Sequence, residues 1–144
     1  MARLSVSFFA AIWCILIIPI VGLLLSCGSQ NHLKLPAGYI DVPPPTQQAV
    51  FHGVSHLEGW ALSDDGIADV AVYVDRQYVT SAETGLARPD VAKAFPNESG
   101  AQAAGWRASL DVSKFPPGRH DIVVQATGKN GARCDVAHFA ATVQ

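Results

Sequence analysis

The sequence predicts an all-β sandwich, and three observations support this prediction. From Val50 onward, short segments rich in valine and small residues alternate with turn sequences, which is typical of a two-sheet β domain. Apolar side chains recur at every second position in several of these segments, so each has one face for a core. The chain has 144 residues, which leaves room for one domain of about 100 to 150 residues plus an appendage.

The N-terminal segment has the composition of an export signal. Arg3 is the only charged residue before an apolar run from Val6 to Leu25. A run of about 20 residues can span a bilayer, whereas a secretory signal needs about 7 to 15, so length alone leaves a signal peptide and a permanent anchor both open. The next basic residue is Lys34, which predicts a cytoplasmic N-terminus and export of the remainder.

The residues that end the apolar run favour the signal peptide. Leu24-Leu25-Ser26-Cys27 resembles the lipobox of bacterial lipoproteins, in which a small residue precedes the cysteine that becomes lipidated. The resemblance implies a signal peptide over residues 1–26, cleavage between Ser26 and Cys27, and a Cys27 whose several acyl chains hold the protein on the membrane. The alternative is a single-pass inner-membrane protein in which Cys27 is unmodified.

The residues after the cysteine bear on its destination. Gly28 and Ser29 follow Cys27, and in lipoproteins of this type an aspartate at the second position commonly retains the protein in the inner membrane. Its absence favours the outer membrane in a cell that has one.

Residues 27–49 are predicted to form a proline-rich tether. They show neither helical nor strand periodicity, and Pro43-Pro44-Pro45 favours an extended polyproline conformation. The alternative is that Leu33 to Val42 packs on the domain as an edge strand. The predicted divisions are therefore a signal peptide over 1–26, a tether over 27–49 and a β-sandwich domain over 50–144.

Within the domain, strand segments are separated by residues that turns prefer. The predicted strands are Leu57 to Leu62, Val70 to Thr80, Trp106 to Val112, His120 to Thr127 and Ala132 to Val143, and the predicted turns are Asp64-Asp65-Gly66, Asp75-Arg76-Gln77, Pro116-Pro117-Gly118 and Asn130-Gly131. In the first strand, Leu57, Gly59 and Ala61 are expected to face the core, with Trp60 beneath another element. Trp106 is expected to fill the centre of the core.

The last turn fixes a register for the last two strands. An Asn-Gly pair favours a two-residue hairpin turn, which places Ile122 opposite Phe139 and Val124 opposite Ala137, so that the two apolar faces coincide. The same register places Cys134 opposite Thr127 and His138 opposite Val123, on the outward face. Cys134 is the only cysteine after Cys27, which excludes a disulfide within the domain and leaves an intermolecular one open.

The segment over residues 81–104 is too long for a routine connection. Pro89 to Phe95 is predicted to form a short helix with proline in its first turn and a stop at Pro96. We expect Leu86, Val91 and Phe95 to cover Trp60.

An alternative arrangement would leave aromatic side chains exposed. If Trp60 and Tyr73 were exposed together, they would form an aromatic platform suited to a sugar or a partner protein.

Gly59 to Ile67 and Val72 to Asp75 resemble the bacterial immunoglobulin-like domains found on exported and surface proteins. Similarity in order and spacing continues through Arg88 to Ala92, Phe95-Pro96, Gly105-Trp106, Phe115 to His120 and Val124 to Thr127. The resemblance spans about Val50 to Gln144 and implies an immunoglobulin-like β-sandwich with an insertion between its middle strands, which agrees with the strand count. Arg76 and Gly128 depart from the pattern, since relatives tend to have glycine and aspartate there. Such modules usually serve as spacers, adhesion units or accessory domains.

Patterns of catalysis are absent from the sequence. It contains no His-Glu-x-x-His, Gly-x-Ser-x-Gly, phosphate loop or Cys-x-x-Cys, so we predict neither enzymatic activity nor a cofactor. After residue 26, nine Lys and Arg stand against twelve Asp and Glu. The resulting net charge of −3 argues against nucleic-acid binding.

Two sets of residues are candidate metal ligands. The first set, His52 and His56, is excluded on a strand, because the two residues would lie about 13 Å apart, too far to share an ion. The aspartates 64, 65, 69 and 75 concentrate oxygen ligands near one end of the predicted sandwich, which could suit Ca²⁺, although their role as turn formers explains them equally well.

Together these features predict an exported, lipid-anchored, non-catalytic protein that presents one immunoglobulin-like domain at the cell envelope, for protein contact or a structural role. The first alternative is a carbohydrate-binding module that uses Trp60 and Tyr73. The second is a single-pass membrane protein with the same outward domain.

Overall fold

The structure is a computed structural model that describes residues 36–144. In that part of the chain, nine strands form two sheets. The strands are β1 (Ala37–Val42), β2 (Ala49–Phe51), β3 (Val54–Leu62), β4 (Ile67–Val74), β5 (Gln77–Ser81), β6 (Glu83–Leu86), β7 (Gly105–Asp111), β8 (Gly118–Gly128) and β9 (Arg133–Val143). A short helix, α1 (Pro89–Ala94), and a 3-10 turn, Ala101–Ala103, lie between β6 and β7, and a second 3-10 turn, Val112–Lys114, follows β7.

The strand order identifies the fold. Sheet 1 has the order β1-β3-β7-β6, and sheet 2 has the order β2-β9-β8-β4-β5. In the letters of the immunoglobulin sandwich, sheet 1 is A-B-E-D and the centre of sheet 2 is G-F-C, with one extra strand on each side. The predicted immunoglobulin-like β-sandwich is therefore confirmed, and the insertion lies between the strands that correspond to D and E.

Alternation along the strands produces the core between the sheets. Leu57, Val72, Leu110 and Val124 are completely buried, because every second side chain of a strand points to the same face. Trp106 is 1 % exposed and is the largest fully buried side chain among the described residues. This confirms the prediction that it fills the centre.

Gly59 is required by the close approach of its neighbours to Trp106. A Cβ atom built on Gly59 would collide with the carbonyl oxygen of Tyr39 and would lie 2.6 Å from Cζ2 of Trp106. Gly59 is buried with Leu57 and Ala61 on the same side of β3, as the sequence predicted. The space that a side chain would take at position 59 is filled by the indole ring.

The predicted tether is wrong for residues 37–42. These residues form β1, which pairs antiparallel with β3 through partners such as Tyr39 with Trp60 and Ile40 with Gly59. The chain then passes through the three prolines to β2, which pairs parallel with β9. The prolines therefore belong to the domain, since they form the connection from β1 in sheet 1 to β2 in sheet 2. The domain thus begins before residue 50.

The last hairpin has a different turn from the predicted one. The amide of Gly128 donates to the carbonyl of Ala132, so the loop contains three residues, Lys129 to Gly131, with Gly131 at φ 82°. A bulge where Val124 and Gln125 change partners then restores the predicted pairing, and Ile122 does face Phe139. Between the loop and the bulge the prediction is wrong.

That error moves Cys134 to a different face. Cys134 lies opposite Ala126, rather than opposite Thr127, and Ala126 is completely buried. Because opposite residues share a face of the sheet, Cys134 is on the inward side of sheet 2, where it is half-buried. His138 lies opposite Val123 on the outward face, as predicted.

The insertion forms the short helix that the sequence predicted. Helix α1 has proline in its first turn and ends before Pro96. The guanidinium of Arg88 donates to Asp90 and to Asp41 of β1, each at 2.7 Å, and the Ala61 amide donates to the Ala104 carbonyl. These bonds fix the insertion to sheet 1.

Candidate functional site

The predicted cleavage and lipidation site lies outside the described residues. Ser26, Cys27 and the apolar run precede residue 36, and their assignment remains a prediction from the sequence. Between residues 36 and 144, the structure contains no helix long and apolar enough to cross a membrane.

Trp60 is partly covered by the insertion. Its ring centroid lies 5.4 Å from that of Phe95, and the ring packs against a cluster that includes the buried Leu62 and Val91. The prediction that the insertion covers Trp60 is therefore confirmed for Val91 and Phe95. Leu86 lies on β6 opposite Gly105, which is itself opposite Trp60.

Trp60 and Tyr73 do not form a joint aromatic platform. Trp60 lies on β3 of sheet 1, and Tyr73 lies on β4 of sheet 2. Outward side chains of the two sheets point away from each other across the core. Alternation shows which side chains of a strand share a face, but it does not show to which sheet the strand belongs, so the sequence could not separate the two rings.

The outward face of sheet 2 carries a row of side chains that the sequence did not predict as a unit. Tyr78 lies opposite Tyr73, Tyr73 lies opposite Val123, and Val123 lies opposite His138. We call these four residues the outer row. They lie on β5, β4, β8 and β9, which are consecutive strands of the sheet.

The two tyrosines form the aromatic end of the outer row. Their ring centroids are 6.0 Å apart and their planes are inclined by 75°, an edge-to-face arrangement that aromatic pairs prefer. Tyr78 is 60 % exposed, and its hydroxyl lies 3.2 Å from Oγ of Ser81. Tyr78 was missed, although the two-residue turn at Asp75-Arg76 would have placed it near Tyr73.

Hydrogen-bonded polar side chains flank the outer row on both sides. On one side, Nε2 of His138 lies 2.8 Å from Oδ1 of Asp121. On the other side, Nε2 of Gln125 donates to Oδ1 of Asp135 at 2.9 Å. The row thus consists of two tyrosines and Val123, which form its aromatic and apolar part, and of His138 as its polar end, with hydrogen-bonded polar side chains at its margins.

His120 points inward and holds a turn. Its Nδ1 lies 2.7 Å from Oδ2 of Asp75, and its Nε2 lies 2.8 Å from the carbonyl oxygen of Pro116. Since both partners are acceptors, they favour the protonated ring, and Asp75 followed by Pro116 raises the pKa of His120. Hydrogen bonds from the Asp121 amide and then from His120 lower the pKa of Asp75.

This arrangement fixes the connection between β4 and β5. Asp75 and Arg76 have φ values of 50° and 69°, a left-handed conformation that is uncommon for residues other than glycine. Asp75 also accepts from the amide of Asp121 at 2.9 Å, so its carboxylate ties the turn to β8. His120 and Asp75 therefore act as a structural clamp, and His120 does not share a face with His138.

The aspartates expected near one end of the sandwich are separated. Asp64 and Asp65 precede β4, whereas Asp75 follows it at the opposite end, so the expectation that four aspartates meet is wrong.

His56 is bonded to a neighbouring strand, since its Nδ1 lies 3.3 Å from Oγ of Ser109. Among residues 36–144 no group of three His, Cys, Asp or Glu side chains is placed to hold a metal ion.

Comparisons with known proteins give a likeness of fold to solved structures. No family model matches the sequence, and no curated protein matches it. Among solved structures, the chain is similar to the fibronectin(III)-like modules of Clostridium thermocellum CbhA, at 15 % sequence identity and a TM-score of 0.44. The match covers 76 % of this chain and 45 % of that one, so this chain spans less than half the length of the structure it matches. The assignment of the fold rests on the strand order described above.

Proposed function

We propose that this protein is a lipid-anchored, non-catalytic component of the cell envelope that presents its immunoglobulin-like domain for contact with another envelope component. The observation that carries the proposal is the sequence Leu24-Leu25-Ser26-Cys27 at the end of the apolar run, with a folded domain close behind it. Gly28 and Ser29 favour the outer membrane where one exists.

The position of β1 limits how far the domain of an anchored protein can lie from Cys27. β1 begins at Ala37, ten residues after Cys27, and ten residues span at most about 35 Å when fully extended. The domain of an anchored protein would therefore stay close to the membrane. The three prolines, which lie between β1 and β2, add nothing to that reach.

A non-catalytic role is supported by what the charged groups do. Shifted pKa values often mark active sites, but here they accompany structural contacts of the domain. The Arg88 guanidinium lowers the pKa of Asp90 to about 2 at the start of α1. Hydrogen bonds from Ser113 lower the pKa of Asp111 at the second 3-10 turn, and the clamp accounts for Asp75 and His120.

The mass of the membrane-extracted protein tests the anchor. We expect wild-type protein to begin at residue 27 and to carry acyl groups, and Cys27→Ala protein to be uncleaved or released from the membrane. Cys134→Ala is the matched control, because it removes a cysteine of the folded domain, and it should be processed like the wild type. An unprocessed, unmodified wild-type chain would overturn the proposal and would identify Val6 to Leu25 as a membrane span.

A further inference from the structure

We propose that the outer row of sheet 2, formed by Tyr78, Tyr73, Val123 and His138, binds a neutral, extended glycan. This is a binding activity beyond the proposed envelope role, and it does not depend on lipidation of Cys27. It rests on the shape of the row, the exposure of its rings and the chemistry of its margins.

The shape of the outer row fits a linear ligand. Its four residues are direct partners on four adjacent strands, and strands are about 4.8 Å apart, so the row is roughly 14 Å long, comparable to about two or three linked pyranose rings. On β8 the next outward residues in either direction are polar, Asp121 and Gln125, and the outward residues opposite them on β4 and β9 are Ala71 and Ala140, so only small apolar side chains widen the row there. A narrow apolar line with polar margins suits a chain of sugars better than a broad protein surface, whose contact centre is an apolar patch.

The tyrosines provide surfaces on which a sugar ring can stack. A pyranose has faces of C–H bonds that pack on aromatic rings, while its hydroxyl groups point outward to polar partners. Tyr78 is 60 % exposed and stands edge-to-face with Tyr73. This contact fixes the orientation of both rings before a ligand arrives, which lowers the entropic cost of binding.

The margins of the outer row supply hydrogen-bonding groups that are already oriented. Asp121 is held by His138, and the Asp135 carboxylate is held by Gln125. Each carboxylate retains acceptor capacity for sugar hydroxyl groups, since an ionised carboxylate has about four lone-pair sites. The charge of these margins selects the ligand class, because two carboxylates repel an anionic polysaccharide.

Two basic side chains on the same face, Arg119 and Arg133, lie farther from the outer row, whereas the exposed Arg76 stands in the turn between β4 and β5, two residues before Tyr78. Arg119 is four residues before Val123 on β8 and lies opposite Thr142, and Arg133 lies opposite Thr127. Four residues along a strand correspond to about 13 Å, so neither arginine borders the row. With Asp121 and Asp135 at its margins and Arg76 at its tyrosine end, the row favours neither an anionic nor a cationic chain, and the expected ligand is uncharged.

Calorimetric titration of the full-length protein, extracted in a detergent without a sugar headgroup, tests this proposal. The probes are hexamers of β-1,4-linked glucose, xylose, mannose and N-acetylglucosamine, with a galacturonic acid hexamer as the anionic comparison. The variants are Tyr78→Ala, Tyr78→Phe and, as the matched control, Tyr39→Ala. Tyr39 is 47 % exposed and lies on sheet 1, so its removal truncates a comparably exposed ring on the opposite face.

We expect at least one neutral hexamer to bind more tightly than the galacturonic acid hexamer. Tyr78→Ala should weaken that binding about tenfold, since an aromatic contact contributes up to roughly that factor, while Tyr78→Phe and Tyr39→Ala should bind within about twofold of the wild type. Far-ultraviolet circular dichroism would verify that each variant is folded. The proposal is overturned if the wild type binds no neutral hexamer, if the anionic hexamer binds best, or if Tyr78→Ala binds as tightly as the wild type. Absence of binding to every neutral hexamer would instead favour a protein partner for the outer row.

Discussion

Replacement of Gly59 by alanine adds only one methyl group, but it should lower the free energy of unfolding strongly, because the centre of the sandwich has no space for that group. The new Cβ would collide with the Tyr39 carbonyl oxygen and would lie 2.6 Å and 2.9 Å from two carbon atoms of Trp106. Neither neighbour can move easily. The carbonyl belongs to the backbone of β1, and the indole is 1 % exposed.

The magnitude follows from the cost of overpacking a core. Extra carbon atoms in a well-packed interior destabilise by about 1 to 3 kcal/mol, and the rigidity of both neighbours places Gly59→Ala at the upper end, about 3 kcal/mol. For a domain of this size, about 1 kcal/mol lowers the melting temperature by roughly 4 °C. Gly59→Ala should therefore melt roughly 12 °C below the wild type.

Urea and thermal unfolding followed by circular dichroism would measure the effect. Gly53→Ala is the control, because Gly53 has φ 54° and nothing lies within 4 Å of a Cβ built there, so it carries only the backbone cost of about 1 to 2 kcal/mol. Combining Gly59→Ala with Trp106→Phe should cost less than the sum of the two single changes, since contacting residues couple. A Gly59→Ala protein within about 0.5 kcal/mol of the wild type would refute the argued packing.

Substitutions at three further positions test other contacts by the same unfolding measurements. The stability lost in Asp75→Asn, relative to the wild type, should be greatest between about pH 4 and 6.5. The raised pKa of His120 contributes stability that is lost as pH rises through the pKa of His120 in the folded protein. The lowered pKa of Asp75 contributes stability that is lost as pH falls through the pKa of Asp75 in the folded protein. A constant difference from pH 3 to 9 would contradict this. Ser63→Ala should be neutral or stabilising by up to about 1 kcal/mol, because the buried Ser63 hydroxyl has no hydrogen-bond partner among the described atoms; a loss of more than about 1 kcal/mol would indicate a missed partner. Gly131→Ala should cost about 1 kcal/mol and Gly131→Asn less, since Gly131 has φ 82° and asparagine tolerates that region better; equal costs would count against the loop geometry.

Alternation and turn residues predicted the strands that contribute many side chains to the core. β7 and β8 bury every second residue over most of their length, and β4 buries Val70, Val72 and Val74, and those alternating residues are visible in the sequence. β1 does not have this property, because Ile40 is its one buried residue. An edge strand held mainly by backbone hydrogen bonds has no two-residue period, and the prolines after it favoured the interpretation as a tether.

Part of the register of the last hairpin was predicted correctly, because two deviations from the predicted pairing cancel. The three-residue loop shifts the pairing by one residue, and the bulge between Val124 and Gln125 shifts it back. The loop is stabilised by contacts that a preference for Asn-Gly does not include. Oδ1 of Asn130 accepts from the amide of Ala132 at 2.9 Å, and a three-residue loop with its glycine in the left-handed region is itself a common hairpin.

The candidate site was harder to predict than the fold because it depends on which strands share a sheet. Tyr73 was singled out from the sequence, but it was grouped with Trp60, which lies on sheet 1. Its actual partners, Tyr78 and Val123, become neighbours only when β5 and β8 flank β4. Pairing across strands is a tertiary property, and residues far apart in the chain such as Tyr73 and Val123 carry no local signal of it.

The two outward faces of the sandwich differ in how much of their surface is covered. Sheet 1 supports the insertion, which partly covers Trp60 and is joined to β1 by the ion pair of Arg88 with Asp41, so part of that face is committed to packing within the domain. On sheet 2 the outer row remains exposed at Tyr78 and His138. Sheet 2 therefore offers the less covered outward surface, and if the outer row binds the proposed glycan, changes that loosen the insertion should leave that binding unaffected.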